Sequence, residues 1–217
     1  MAYATLMMIG GTLFINGLVV LGKVDPKGAA PYNIFTGILA TLVPFYLLSK
    51  VNGAERADFD TILGVAPMWL FALTFLWVGL NAVTDFPPSG VGWYCLWVVA
   101  MAIAFGLVNF IRFDAPREGV IWMNWAVLWG LFWLLLAMGQ EQLSVFTGWA
   151  AVLMSIWTVT AQALLNLVGA WTDVPEWAFY AATAVTLIVS LAFARRASAA
   201  VATQTQPSVG EARVSAA

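Results

Sequence analysis

The nine basic and eleven acidic residues of this 217-residue chain fall in short clusters that leave seven uncharged runs: 1–22, 28–49, 61–84, 86–111, 119–140, 142–172 and 177–194. A bilayer core about 30 Å thick is crossed by about 20 apolar residues of helix. The first six runs exceed that length and the seventh is just long enough. The pattern predicts an all-α polytopic membrane protein with spans at about 3–22, 30–49, 62–84, 91–111, 119–139, 146–170 and 177–194. Composition agrees: 62% of residues are hydrophobic and 9% charged, against about 45–50% and about 25% in soluble domains. The first run lacks a basic flank and carries Asn16, so it reads as a span rather than a cleaved signal. Residues 197–217, rich in Ala, Thr, Ser and Val, read as a disordered cytoplasmic tail.

The residues that are missing exclude functions. A net charge of −2 excludes a nucleic-acid partner, which requires a basic face. The single cysteine, Cys95, allows no internal disulfide and no thiolate metal cluster. With no histidine, the chain lacks the commonest metal ligand, general base and neutral-pH sensor. No ionisable residue lies well inside a span, so ion pumping and proton coupling have no carrier. These absences predict a non-enzymatic protein with no cofactor and no metal. Three classes remain: passive conduction of a neutral solute, lipid or pigment binding, and a structural partner subunit.

The aromatic residues narrow this further. Trp122, Trp125, Trp129 and Trp133 are spaced 3, 4 and 4 in the fifth run and share an arc of roughly 80° on a helix. An interfacial belt suits Trp122. It does not suit Trp129, which lies roughly 14 Å deep by helical rise if the span starts near residue 120. The stripe then either packs against neighbouring helices or lines a slot. A slot of flat rings would admit a small planar neutral molecule and refuse hydrated ions. Phe71 and Phe75, one turn apart, and Leu6 and Leu13, seven residues apart, belong on the same wall. Asn16, Asn81 and Asn124 are the intramembrane amides nearest these faces. Each either adds polar lining or makes a helix–helix hydrogen bond, worth about 0.6 kcal/mol.

Several motifs together resemble the UreI/AmiS family of urea and amide channels. They are Asn16-Gly17, Lys23-Val24-Asp25-Pro26-Lys27 and Asn33; Phe71, Thr74-Phe75-Leu76 and Asn81; Trp93-Tyr94; Glu118-Gly119, Trp122, Trp129-Gly130 and Trp133; and Phe146-Thr147-Gly148-Trp149. The similarity covers about residues 1–171. It implies a six-helix bundle, here with a probable seventh helix, whose solute path is lined by the first, third and fifth helices. It implies six protomers in a ring in the bacterial cytoplasmic membrane, with the N-terminus outside. Leu6, Leu13, Phe71, Phe75, Trp122, Trp129, Phe132 and Trp133 take lining positions by this resemblance, and Trp125 substitutes for a tryptophan of the family that falls at Ala126. The implied solutes are urea and short aliphatic amides, delivered to a cytoplasmic urease or amidase.

Three departures stand out. Met154 occupies the place of a sixth-helix carboxylate. The span at 177–194 exceeds the usual six. The outer-loop histidines through which the best-known urea channel opens in acid are absent. The expected protein is therefore a passive channel that is not acid-gated. The rival reading is a tryptophan-rich membrane sensor that binds a ligand without conducting it.

Overall fold

A computed structural model describes residues 1–53, 55–84 and 86–204, with side chains through Ala200. All regular structure among these residues is helical, and seven helices have the length and apolarity to cross a membrane: Ala2–Val20, Pro26–Leu48, Arg56–Val83, Ser89–Ile111, Pro116–Leu136, Glu141–Leu167 and Trp177–Ala200. The protein is a polytopic membrane protein, as the charge pattern predicts. Asp85, which separates the third and fourth uncharged runs, lies outside the described residues.

Local chemistry sets where the spans begin and break. The Asp25 carboxylate accepts hydrogen bonds from the Lys27 and Gly28 N–H groups at 2.8 and 3.3 Å, with Pro26 in the first turn of the second span. The Lys-Val-Asp-Pro-Lys motif is thus a helix start built from an N-cap and a proline whose missing N–H costs nothing. The third span begins earlier than expected, at Arg56, and is broken at Ala66-Pro67 into Arg56–Val65 and Met68–Val83. Pro67 cannot donate to the preceding turn. The sixth span opens on a 3₁₀ turn at Glu141–Leu143. It is α-helical over Ser144–Met154, widens into a π-helix at Ser155–Ala161 and closes as Gln162–Leu167. The seventh helix continues to Gln204, ten residues past the expected span end at 194 and eight residues into the expected tail. Residues 205–217 of the expected tail lie outside the described residues.

Each of the first six spans packs on its neighbours in sequence, and the sixth returns to the first, so they close into a ring. Small residues let the backbones meet. A Cβ on Gly17 would lie 2.9 Å from the carbonyl oxygen of Gly148, and one on Gly92 would lie 2.6 Å from the backbone nitrogen of Ala137. Helix pairs in lipid associate by this close approach because burial from water contributes nothing there. The seventh helix lies outside the ring against the fifth and sixth spans. Trp149 stacks on Phe193 with ring centroids 4.1 Å apart, the Trp157 indole donates to Thr186 at 3.0 Å, and Asn124 donates to Thr183 at 2.9 Å.

Candidate functional site

Two cavities lie end to end inside the ring. One is at the N-terminal ends of the first, third and fifth spans and holds about 280 Å³. The other, of about 160 Å³, is at their C-terminal ends. We term them the N-side and C-side cavities. Phe71 and Trp125 line both and separate them. Their rings meet edge-on at 4.7 Å and an interplanar angle of 82°, and both side chains are buried. Trp129 also closes on Phe71, at 4.7 Å, and Trp122 meets Trp125 edge-on at 4.8 Å. These are the offset and T-shaped geometries that ring quadrupoles favour. The result is a collar of rings across the middle of the bundle.

The collar is held by hydroxyls. The Trp125 indole donates to Thr158 Oγ1 at 3.0 Å, and Thr158 donates in turn to the Met154 carbonyl at 2.6 Å. The Trp129 indole donates to Thr74 Oγ1 at 3.3 Å, while Thr74 donates to the Leu70 carbonyl at 2.7 Å. Each hydroxyl spends its proton on its own helix and its lone pair on a ring. A buried indole N–H without a partner is costly, so each ring is fixed in one orientation. Thr158 sits within the π segment, a distortion of helices that often occurs at functional sites.

The predicted wall residues divide. Leu6 and Trp122 line the N-side cavity. Leu13, Phe75, Trp129 and Phe132 line the C-side cavity, and Phe71 and Trp125 line both. Trp133 lines neither. Its ring lies 6.3 Å from that of Trp93 on the fourth span, and its Nε1 is buried without a hydrogen-bond partner. Helical geometry gives the reason. Trp125, Leu128, Trp129, Phe132 and Leu136 face the C-side cavity, and their mean direction is rotated roughly 45° from the middle of the tryptophan stripe. Trp133, at the far edge of that stripe, therefore turns away.

Of the amides, Asn16 lines the C-side cavity and exchanges two 2.8 Å hydrogen bonds with Asn33 on the second span. Asn124 is directed away from both cavities, to Thr183 of the seventh helix and the Val120 carbonyl. Asn81 lines neither cavity, and its Oδ1 is buried without a partner. Of the three amides, only Asn16 lines either cavity. No group of three or more His, Cys, Asp or Glu with metal-site geometry occurs among the described residues.

Sequence reasoning missed the role of Thr158 and Thr74, and also Asn109, Glu118 and Gln162, which line the N-side cavity. Thr74 stands three residues after Phe71, a spacing that carries the signal. Thr158 has no such signal, because the π segment displaces it from the face that an unbroken helix gives.

Residues 1–170 match the family described as AmiS/UreI family transporter. The chain belongs to the AmiS/UreI family. Within it, the chain is 39% identical over 202 residues to the Rhodococcus erythropolis protein named "Putative transporter protein AmiS2", covering 93% of this chain and 96% of that one. It is 36% identical over 170 residues to the Mycolicibacterium smegmatis "Putative amidate substrates transporter protein", covering 78% of each. The acid-activated urea channel of Helicobacter pylori is 27% identical over 190 residues, covering 76% of this chain and 97% of that channel. The closed-state structure of that channel superposes with a TM-score of 0.71 at 25% identity, covering 79% of this chain and all of the channel chain. This AmiS/UreI member thus has the urea-channel fold with a seventh helix added outside the ring.

Proposed function

We propose that this AmiS/UreI protein is a passive, selective channel for urea and short aliphatic amides, open across the ordinary pH range. The observation that carries the reading is the collar: two cavities meet end to end at Phe71 and Trp125. A planar solute fits between flat rings. An ion would have to shed its water where no charged side chain replaces it, at a cost of many kcal/mol. The side chains that line the C-side cavity include no charged residue. The lining set is Leu6, Leu13, Phe71, Phe75, Trp122, Trp125, Trp129 and Phe132, with Asn16 as its inner polar member.

The N-terminus is outside and the N-side cavity is the outer vestibule. The seven spans return Arg195 and Arg196 to the cytoplasmic side. In this reading, which rests on the family resemblance, the protein works as a homohexamer in the bacterial inner membrane and feeds a cytoplasmic amidase or urease; relatives named for amidate substrates and for urea support the choice of solutes. The deciding experiment is solute-driven shrinking of liposomes loaded with the full-length protein. Acetamide and urea entry without potassium current supports the channel. Saturable acetamide binding without entry would replace it with the sensor reading.

A further inference from the structure

The N-side cavity holds acceptor oxygens that the fold itself leaves unused. Gln162 follows the π segment directly and lines this cavity, and its Oε1 is buried without a hydrogen-bond partner. Asn109 spends its amide N–H on the Phe105 carbonyl at 2.8 Å, which leaves its own oxygen as the remaining acceptor. Glu118 accepts one hydrogen bond, from the Trp171 indole at 2.7 Å. A carboxylate has capacity for about four. All three residues line the same space, beside the rings of Phe105 and Trp122, whose centroids are 5.2 Å apart.

Glu118 is not neutralised by its neighbour in sequence. The Arg117 guanidinium is turned to the carbonyls of Val174 and Thr172, at 2.9 and 3.3 Å. Together these bonds strap the connection between the sixth and seventh spans onto the start of the fifth. Trp171, which holds Glu118, lies just beyond the family-matched residues 1–170. The segment leading to the added helix therefore takes part in shaping the vestibule.

Unpaired buried acceptors are costly and become satisfied when a donor-rich ligand arrives. Flat ring walls beside them favour a planar ligand. We infer that the N-side cavity is a recognition site for the planar NH₂–C=O group of primary amides and urea, with Gln162, Glu118 and Asn109 accepting its N–H donors before it reaches the Phe71–Trp125 collar. This rests on the channel reading and adds to it a binding step in the vestibule. A site of this kind makes flux saturable. It also sets the half-saturation concentration separately from the collar, which sets the maximal rate.

The test is radiolabelled acetamide exchange across liposomes carrying the full-length protein, measured against acetamide concentration for wild type, Gln162→Met and Glu118→Gln. Losing one hydrogen bond to the ligand predicts a half-saturation concentration raised about three- to tenfold in Gln162→Met, with the maximal rate within about twofold. Glu118→Gln predicts a smaller rise in the same direction. Unchanged half-saturation in both variants of a conducting protein overturns the site. If wild type conducts no acetamide, the channel reading fails. The site is then tested alone, by saturation-transfer NMR of acetamide with solubilised protein. Binding that is lost in Gln162→Met upholds it, and no binding by wild type overturns it. Should Gln162→Met not fold, Glu118→Gln carries the same test.

Discussion

The two cavities on either side of Phe71 and Trp125 are built from opposite materials. On the C-side, Asn16 spends its amide on Asn33 and Thr74 spends its hydroxyl on Trp129 and Leu70. The fold uses up the polar groups there and leaves an apolar chamber. On the N-side, Gln162 keeps an unpaired oxygen and Glu118 keeps acceptor capacity. Spans one, three, four and five frame both cavities and the sixth adds Gln162 on the N-side alone, so span choice is only part of the difference. The rest comes from whether a neighbouring helix offers a partner. The second span faces Asn16 with Asn33, whereas the Gln162 oxygen has no hydrogen-bond partner among the described residues. A polar residue in a membrane wall is therefore not by itself a solute contact. Its free hydrogen-bonding capacity decides.

Merging the cavities should have the largest effect. Phe71→Ala or Trp125→Ala removes half of the barrier between them, and butyramide flux relative to acetamide should rise at least about tenfold in liposomes. If the assembled variant keeps wild-type selection, the rings merely pack the core, where a cavity costs about 3–5 kcal/mol.

Unsealing the C-side chamber comes next. Asn16→Leu or Asn33→Leu alone leaves the partner amide buried and unpaired and should cost about 1–3 kcal/mol in a detergent melt. The double variant should cost less than the sum. Additive losses would mean that the two amides do not depend on each other.

Loosening the collar without widening it should do less. Thr158→Val keeps the volume but strands the Trp125 N–H, so the ring loses its orientation. Acetamide-to-urea selection should shift by about two- to fivefold while the protein still assembles. Thr74→Val should shift it less, because its bond to Trp129 is longer, at 3.3 against 3.0 Å.

At the end of the fourth span, Arg112 Nε donates to Asp60 of the third at 2.6 Å, and both side chains are about one-third exposed. A pair in that setting contributes at most about 1 kcal/mol. Arg112→Ala should leave flux within about twofold and the melt nearly unmoved.

The smallest expected effect is that of acid. Without histidine, no side chain has an ordinary pKa between about 5 and 8. Urea flux at pH 5.5 and 7.5 should agree within about fivefold. A larger change would give the vestibule carboxylates a gating role and separate the two cavities further.

The seven spans were legible because charge is expensive in lipid, so its clusters mark the loops. The second span was expected from about residue 30 and starts at Pro26, because the Asp25 N-cap and the proline extend it past the charged residues. The wall was less legible. Four tryptophans define the most aromatic face of the fifth span, but the cavity face is offset from it, so Phe132 and Trp125 face a cavity while Trp133 and Asn124 do not. The composition of one helix indicates what it prefers to bury. It does not indicate which neighbour will bury it. Asn124 needed knowledge of Thr183, and Thr158 needed knowledge of the π segment, whose hydrogen bonding no residue pattern announces.

That segment has a consequence for how the molecule can change over generations. A π turn holds one residue more than an α turn of the same span. Losing a single codon anywhere in 155–161 would leave an ordinary helix with both ends intact. The residues beyond the segment would keep their register, because the π turn had taken up the extra residue, while those inside it would turn. Gln162 would stay at the vestibule, and Thr158 would swing off Trp125. No charge would enter the membrane and no span would shorten. An in-frame deletion of one codon would thus loosen the collar in one step and spare the vestibule. Reinserting a codon nearby would restore the collar.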